Sequence, residues 1–141
     1  MLLEVHIDGA SRGNPGLSAI GIMIKENDKV IKEYGEFIGI RTNNQAEYEA
    51  LRRALEICTE LDKEVTILSD SELLINQRNQ KYRIRSQDLK ILTREIATLE
   101  KNYDKITYRH VPRSKNSHAD YLANKALDKH LSANTNNRAH N

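Results

Sequence analysis

The sequence has few of the features that mark disulfide-linked, zinc-binding or membrane proteins. It contains a single cysteine, Cys58, in 141 residues, which excludes an internal disulfide and any zinc site built from several cysteines. Because Cys58 falls on the apolar stripe of a predicted helix, we interpret it as a small buried side chain rather than a reactive thiol. No apolar run approaches the ~18 residues that a membrane span needs, and the N-terminus leads directly into a strand pattern. We therefore expect a soluble, cytoplasmic protein with no membrane partner.

The chain also lacks an excess of charge of either sign. Its 22 lysines and arginines face 20 acidic residues, a formal net charge of +2, so any surface for a polyanion must come from local clustering. Residues 78–94 form such a cluster, with six basic residues against one acidic residue and with Tyr82 among them. Two interpretations stay open for this stretch: a solvated face, or a surface that contacts a phosphate backbone.

Hydrophobic periodicity predicts a single α/β domain over residues 1–130, followed by a polar, disordered tail over 131–141. Strands are predicted at 1–8, 17–26, 29–39, 65–69 and 104–110, and the first three form an antiparallel meander with a turn at Asn27-Asp28. Helices are predicted from 43 onward, over 71–77, over 86–101 and over 117–130. A helix between the first and fourth strands favours placing these two strands side by side and parallel.

Four acidic residues lie at junctions of these predicted elements. Asp8 ends the first strand and Asp70 follows the fourth, so the two carboxylates should be neighbours at one edge of the sheet. Glu47 heads the core-facing stripe of the helix after residue 43, where an ionised group is costly unless it is paired or binds metal. Asp120 lies in the first turn of the last helix. Turn formation, helix capping and favourable interaction with the helix dipole remain alternative explanations for these acids.

The segments around these acids carry four motifs, which read DGASRGNPG at 8–16, TNNQAEYEAL at 42–51, SDSELLINQ at 69–77 and VPRSKNSHADYLAN at 111–124. In this order they resemble the type 1 ribonuclease H family over about residues 1–130, and in particular its short forms with a VPR motif and no extra basic helix. The resemblance implies a ribonuclease H-like, five-stranded mixed sheet in the order 3-2-1-4-5, with strand 2 antiparallel and helices on both faces.

The resemblance further implies an endonuclease that hydrolyses the RNA strand of RNA–DNA hybrids and leaves 5′-phosphomonoester products. It places two Mg²⁺ or Mn²⁺ ions on four acids, Asp8, Glu47, Asp70 and Asp120. Several carboxylates suit this chemistry, because two cations ~3.5–4 Å apart activate the attacking water and neutralise the leaving 3′ oxygen. Hard Mg²⁺ also prefers oxygen ligands. The expected partner is the hybrid, bound by a monomer.

Contacts to the substrate are carried over residue by residue. The resemblance implies that Thr42 is part of a pocket for a DNA-strand phosphate. It implies that the RNA strand is lined by Asn14, by the backbone of the 9–13 loop with Gly9, Ser11, Arg12 and Gly13, and by Asn43, Asn44 and Ser71. For the two adjacent asparagines, helix capping remains an alternative. Some family members use a histidine before the last acid to assist turnover. Here Arg113 is the candidate catalytic helper, and His110 and His118 are the alternatives.

Two other functions remain possible at this stage. The same fold could also cleave double-stranded RNA, or it could be a catalytically weak module that binds hybrids. Retention of all four acids argues against the second of these. The segment between Asp70 and the fifth strand is too short for an extra basic helix, although Lys81, Arg83 and Arg85 could contact the hybrid in part, and binding should then be more sensitive to salt.

Overall fold

Five strands form one mixed sheet in a computed structural model that describes residues 2–80, 83–84 and 86–139, with side chains as far as residue 133. The strands are β1 (Leu3–Gly13), β2 (Gly16–Glu26), β3 (Lys29–Arg41), β4 (Glu64–Ser69) and β5 (Lys105–His110). Their order across the sheet is β3-β2-β1-β4-β5. Neighbouring strands are antiparallel from β1 to β3 and parallel from β1 through β4 to β5. The predicted sheet order is therefore confirmed.

Helices cover both faces of this sheet. They are α1 (Asn43–Cys58), α2 (Glu72–Arg78), α3 (Gln87–Glu100) and α4 (Ser117–Ala139), with a 3₁₀ turn at Arg113–Lys115. Alternate apolar residues of β1, β2 and β4 form the main core with α1 and α3, while α4 packs on β1, β2 and β3. No helix in the described part of the chain combines the length and hydropathy that crossing a bilayer requires.

Strand β1 is longer than the sequence predicts. We expected a loop over residues 9–16, but β1 continues to Gly13, and only Asn14 and Pro15 connect it to β2. The extension forms because the backbone of residues 9–13 pairs with residues 16–20 of β2, which satisfies its hydrogen-bonding groups. The glycines and polar residues of this stretch therefore lie on a rigid hairpin.

Helix α4 also exceeds its predicted end near residue 130 and continues to Ala139, so the helix includes residues 131–139 of the predicted tail. Two features explain the difference. The segment contains no glycine or proline to end a helix, and the ring of His130 stacks on Phe37 of β3 with centroids 3.6 Å apart. The last two residues of the predicted tail, and Lys81, Tyr82 and Arg85 of the basic cluster, lie outside the described residues.

Two glycines, Gly21 and Gly35, form a strip across the sheet on which α4 lies. They are paired on β2 and β3, and Asp8 of β1 pairs with Gly21 on its other side. A Cβ on Gly21 would lie 2.0 Å from the carbonyl oxygen of Ala119, and one on Gly35 would lie 2.6 Å from that of Leu122. Glycine in a strand interior often marks such a close approach of another backbone. This glycine strip brings the first turn of α4 close to the end of the sheet that carries Asp8.

Candidate active site

Three carboxylates from separate parts of the chain meet at the carboxyl edge of the parallel strands. Asp8 lies on β1, Asp70 directly follows β4, and Glu47 lies in the first half of α1. Each offers one carboxylate oxygen, and these oxygens all lie within 4.8 Å of one another. Asp8 and Asp70 are close because β1 and β4 are parallel neighbours, as predicted.

Asp120 lines the same pocket as these three acids. It projects from the first turn of α4, which the glycine strip holds against the sheet. Its charge contributes to raising the pKa of both Asp8 and Asp70. The four acids singled out in the sequence therefore face one cavity.

Close contact between α1 and β1 places Glu47. A Cβ on Gly9 would lie 2.3 Å from the carbonyl carbon of Ala46, so only glycine allows the helix to approach this closely. The backbone N–H of Gly9 donates to Oε1 of Glu47 at 3.2 Å. The other oxygen, Oε2, is buried and has no hydrogen-bond partner. A buried, unpaired carboxylate oxygen is costly unless a further group binds it.

Burial and mutual repulsion raise the pKa values of these acids. Burial, followed by the charge of Asp70, raises the pKa of Asp8 to about 7. Burial and the charges of Asp8 and Asp70 raise the pKa of Glu47 well above its ordinary value. Burial also raises the pKa of Asp70, although Arg113 opposes that shift. Proximity of like charges in a partly dry site therefore disfavours the ionised state of the cluster.

The residues of this site fit a hard divalent cation. The donors are carboxylate oxygens, which Mg²⁺ and Mn²⁺ prefer, and the orphaned Oε2 of Glu47 is available to such an ion. A bound cation would also offset the repulsion that raises the pKa values. An ion could be held by Asp8, Glu47 and Asp70, with Asp120 beside them.

Helix capping was the alternative role for Asp70, Asn43 and Asn44, and other residues provide these caps. The hydroxyl of Ser71 caps α2 by accepting the N–H of Leu74 at 3.2 Å, so Asp70 is not the cap. Thr42 and Gln45 form the predicted capping box at the start of α1. Asn43 and Asn44 are therefore not the caps of this helix, and both line the pocket.

Most of the predicted substrate contacts surround the same cavity. The pocket is lined by six of them: Gly9, Ser11, Arg12, Asn43, Asn44 and Ser71. Gly13, Asn14 and Thr42 are not among the lining residues. Asn14 instead lies at the hairpin turn, where its Oδ1 accepts the backbone N–H of Asn43 at 3.0 Å. Asn14 and Thr42 thus hold the start of α1, next to the pocket.

The three candidate helpers occupy different places. Arg113 and His110 line the pocket, and the charge of Arg113 acts on Asp70. His118 is not in the pocket lining, and its Nε2 lies 2.6 Å from Oε2 of Glu33 on β3. Arg113, in the 3₁₀ turn, and His110 therefore lie beside the acids, whereas His118 does not.

Two asparagines near Asp120 were missed by the sequence interpretation. Asn116 is 1% exposed, and its Nδ2 donates to the carbonyl oxygen of Ile7 at 2.8 Å, which ties the start of α4 to the residue before Asp8. Asn124 lines the pocket and contacts Asp120 directly. Asn124 follows Asp120 by four residues and so lies on the same face of α4, and this spacing was the signal available in the sequence.

Comparison with known proteins agrees with this arrangement. A family model described as Reverse transcriptase-like matches residues 6–126. Over 131 residues the chain is 38% identical to Ribonuclease HI of Halobacterium salinarum, and the match covers 89% of this chain and 64% of that protein. It is 35% identical to the Bifunctional protein Rv2228c of Mycobacterium tuberculosis, over 91% of this chain and 36% of that one. The chain thus spans less than two thirds of the length of these curated relatives.

Solved structures give the same result over a fuller length. The crystal structure of LC11-RNase H1 in complex with an RNA/DNA hybrid matches with a TM-score of 0.88 and 38% identity, covering 92% of this chain and 99% of that one. Family model, sequence identity and fold therefore agree, and the chain belongs to the type 1 ribonuclease H family.

Proposed function

We propose that this chain is an endonuclease that hydrolyses the RNA strand of RNA–DNA hybrids and leaves 5′-phosphate ends. The observation that carries the proposal is the convergence of Asp8, Glu47, Asp70 and Asp120 on one pocket, with a buried carboxylate oxygen of Glu47 left unpaired. An acid cluster of this kind would repel a phosphodiester unless cations neutralise it.

The proposed cofactors are two Mg²⁺ or Mn²⁺ ions, held by the four acids. When bound, they would supply Lewis-acid activation of water and charge neutralisation at the leaving oxygen. The protein contributes a fixed arrangement of oxygen donors: Gly9 orients the Glu47 carboxylate through its N–H, and the sheet fixes Asp8 next to Asp70. Such preorganisation lowers the cost of assembling the charged site.

Selection of RNA would depend on the polar side chains at the mouth of the pocket. The 2′-hydroxyl distinguishes RNA from DNA and can both donate and accept hydrogen bonds. Asn43, Asn44 and Ser71 line the cavity beside the acids and carry matching donors and acceptors. Asn14 and Thr42 support this role by holding the first turn of α1.

Arg113 is proposed to assist turnover. Its guanidinium acts electrostatically on Asp70 and lies on the pocket wall together with His110. A cation at this place would attract the substrate phosphate and would counter negative charge on the product. Because Arg113 lies on the exposed 3₁₀ turn, its side chain can follow the phosphate without disturbing the sheet.

A second surface, remote from the acids, could also bind the duplex. A groove between α2 and α3 is lined by Gln77, Gln80, Arg83, Ile84, Lys90, Thr93 and Arg94. This lining, as far as the chain is described, contains three basic residues and no acid. The seven residues of α2 lie between this groove and Asp70. At the rise of an α-helix they span about 10 Å. A phosphate backbone that leaves the pocket along α2 would therefore meet these cations, with a salt-dependent affinity.

A cleavage assay tests the proposal directly. End-labelled RNA–DNA hybrid, duplex RNA and duplex DNA of one sequence are incubated with the chain in Mg²⁺, Mn²⁺ or chelator. We expect cutting of the RNA strand of the hybrid with either metal and none with chelator. Replacing the target ribonucleotides by deoxyribonucleotides should stop cleavage. Efficient cutting of plain DNA would contradict the role of the 2′-hydroxyl, and comparable cutting of duplex RNA would widen the substrate class.

The proposal includes a monomer that acts in the cytoplasm. A single cysteine, buried and free, suits a reducing compartment. Light scattering at the assay concentration would test the monomer, and a stable dimer would contradict it.

A further inference from the structure

We propose that Asn124 is a positioning residue for Asp120, and that Arg12 fixes the orientation of the Asn124 amide. This inference rests on the proposed function, in which Asp120 is one of the acids that hold the cations. It concerns how the Asp120 carboxylate is oriented, because α4 packs on the face of the sheet at Gly21, opposite the face at Gly9 on which α1 packs.

The contact between Asn124 and Asp120 is made within α4. The Nδ2 group of Asn124 donates to the carboxylate oxygen Oδ1 of Asp120 at 3.2 Å and to its carbonyl oxygen at 3.0 Å. These two contacts restrict the rotation of the Asp120 carboxylate. With Oδ1 held by the amide, Oδ2 is the Asp120 oxygen that this contact leaves available to a cation.

Arg12 determines which way the amide faces. Its Nη2 donates to Oδ1 of Asn124 at 3.3 Å and to Oδ1 of Asp128 at 2.7 Å. A guanidinium can only donate, and a carboxylate can only accept. A flipped amide would place NH₂ against the guanidinium and oxygen against the Asp120 carboxylate, and both contacts would be lost. The two charged neighbours therefore select one orientation of Asn124.

The contacts of Arg12 with Asn124 and Asp128 orient side chains more than they stabilise the fold. The side chains of Arg12 and Asp128 are 39% and 67% exposed, and ion pairs with such exposure contribute little to folding. Arg12 lies on the β1–β2 hairpin, where it pairs with Leu17, whereas Asn124 lies on α4. The contact thus joins the hairpin that carries predicted substrate contacts to the helix that carries Asp120.

Metal binding in the absence of substrate separates positioning from substrate contact. Thermal unfolding is followed while Mg²⁺ alone is titrated, and the midpoint concentration of the stabilisation is compared among variants. Loss of a group that orients a metal ligand costs roughly 10–100-fold in affinity or activity. We expect Asn124→Ala to raise the Mg²⁺ midpoint and to lower kcat by about that factor, with KM for hybrid within about twofold of wild type.

Two further variants complete the test. Asn124→Gln retains an amide four residues after Asp120, a spacing at which glutamine and aspartate hydrogen-bond on a helix, so it should recover part of the Mg²⁺ midpoint. Lys125→Ala is the matched control, because this exposed residue of α4 lies over the ring of Tyr121 and not in the pocket. It should leave midpoint and kcat at wild-type values.

The role of Arg12 is tested by a double-mutant cycle on the Mg²⁺ midpoint. Arg12→Ala should raise it by less than Asn124→Ala does, and it should add nothing in the Asn124→Ala background, because the two residues act through one amide. Additive effects would overturn the part assigned to Arg12.

Two results would overturn the inference about Asn124. One is a wild-type Mg²⁺ midpoint and kcat in both Asn124 variants, and the other is a raised KM with an unchanged midpoint. If the wild-type chain itself fails to cut hybrid, the proposed function fails instead. Hybrid cleavage by wild type with an unaltered Asn124→Ala variant rejects the positioning role alone.

Discussion

Gly21→Ala tests how closely α4 must lie against the sheet. The added methyl group would lie 2.0 Å from the carbonyl oxygen of Ala119 and 2.7 Å from the amide nitrogen of Ala123. Normal contacts need about 3.5 Å, so helix and strand must separate by roughly 1–1.5 Å. Overpacking costs typically about 1–3 kcal/mol, and we expect the upper end because the opposing atoms belong to backbone.

Two measurements report this perturbation. A loss of ~3 kcal/mol in the free energy of unfolding corresponds to a fall in Tm of about 6–12 °C for a domain of this size. Because Gly21 pairs with Asp8 and contacts the turn that carries Asp120, we also expect kcat for hybrid cleavage to fall by at least about tenfold, since a 1 Å displacement of a catalytic group is costly.

Gly35→Ala is the matched control for this effect. Its methyl group would meet Leu122 at 2.6 Å, farther along α4 from the acids. It should lower Tm but change kcat less than Gly21→Ala does. Wild-type Tm and kcat in Gly21→Ala would refute the account of the glycine strip, and an equal loss of kcat in both variants would refute its link to Asp120.

Three other predictions concern single side chains. Asp70→Asn should abolish cleavage but leave hybrid binding, measured by fluorescence anisotropy, equal or tighter, because it removes repulsion of phosphate; unchanged turnover would contradict the metal assignment. Arg113→Ala should reduce kcat more than His118→Ala, because Arg113 lines the pocket and His118 does not, and the reverse order in steady-state assays would move the helper role to His118. Burial raises the pKa of the Cys58 thiol to about 12, so alkylation followed by mass spectrometry should be slow in the folded chain up to about pH 9 and fast in denaturant, where the ordinary thiol pKa returns. Rapid labelling of folded protein would contradict the burial.

Much of the site could be predicted from the sequence, because simple rules of topology act on it. The crossover helix between β1 and β4 makes these strands parallel neighbours, and that alone brings Asp8 and Asp70 together. Glu47 was identified because a carboxylate on a core-facing helical stripe needs a partner. In both cases local pattern and global fold agree, which is what makes such inferences work.

The features that the sequence did not predict depend on contacts between elements that are distant in the chain. The strip formed by Gly21 and Gly35 packs against the backbone of α4. No residue near either glycine in the sequence indicates that α4 is the element packed there. The extension of β1 arises from cross-strand pairing that overrides the turn-like composition of residues 9–13. The contact of Arg12 with Asn124 joins residues 112 positions apart, a separation that periodicity cannot detect.

The distribution of the acids has a consequence for protein synthesis. Three of them are present once residue 70 has left the ribosome, but Asp120 follows some fifty residues later, on α4. A nascent chain that ends before α4 therefore has an incomplete set of carboxylates and lacks the helix that covers β2 and β3. Cleavage of RNA–DNA hybrids should thus appear only after translation of α4.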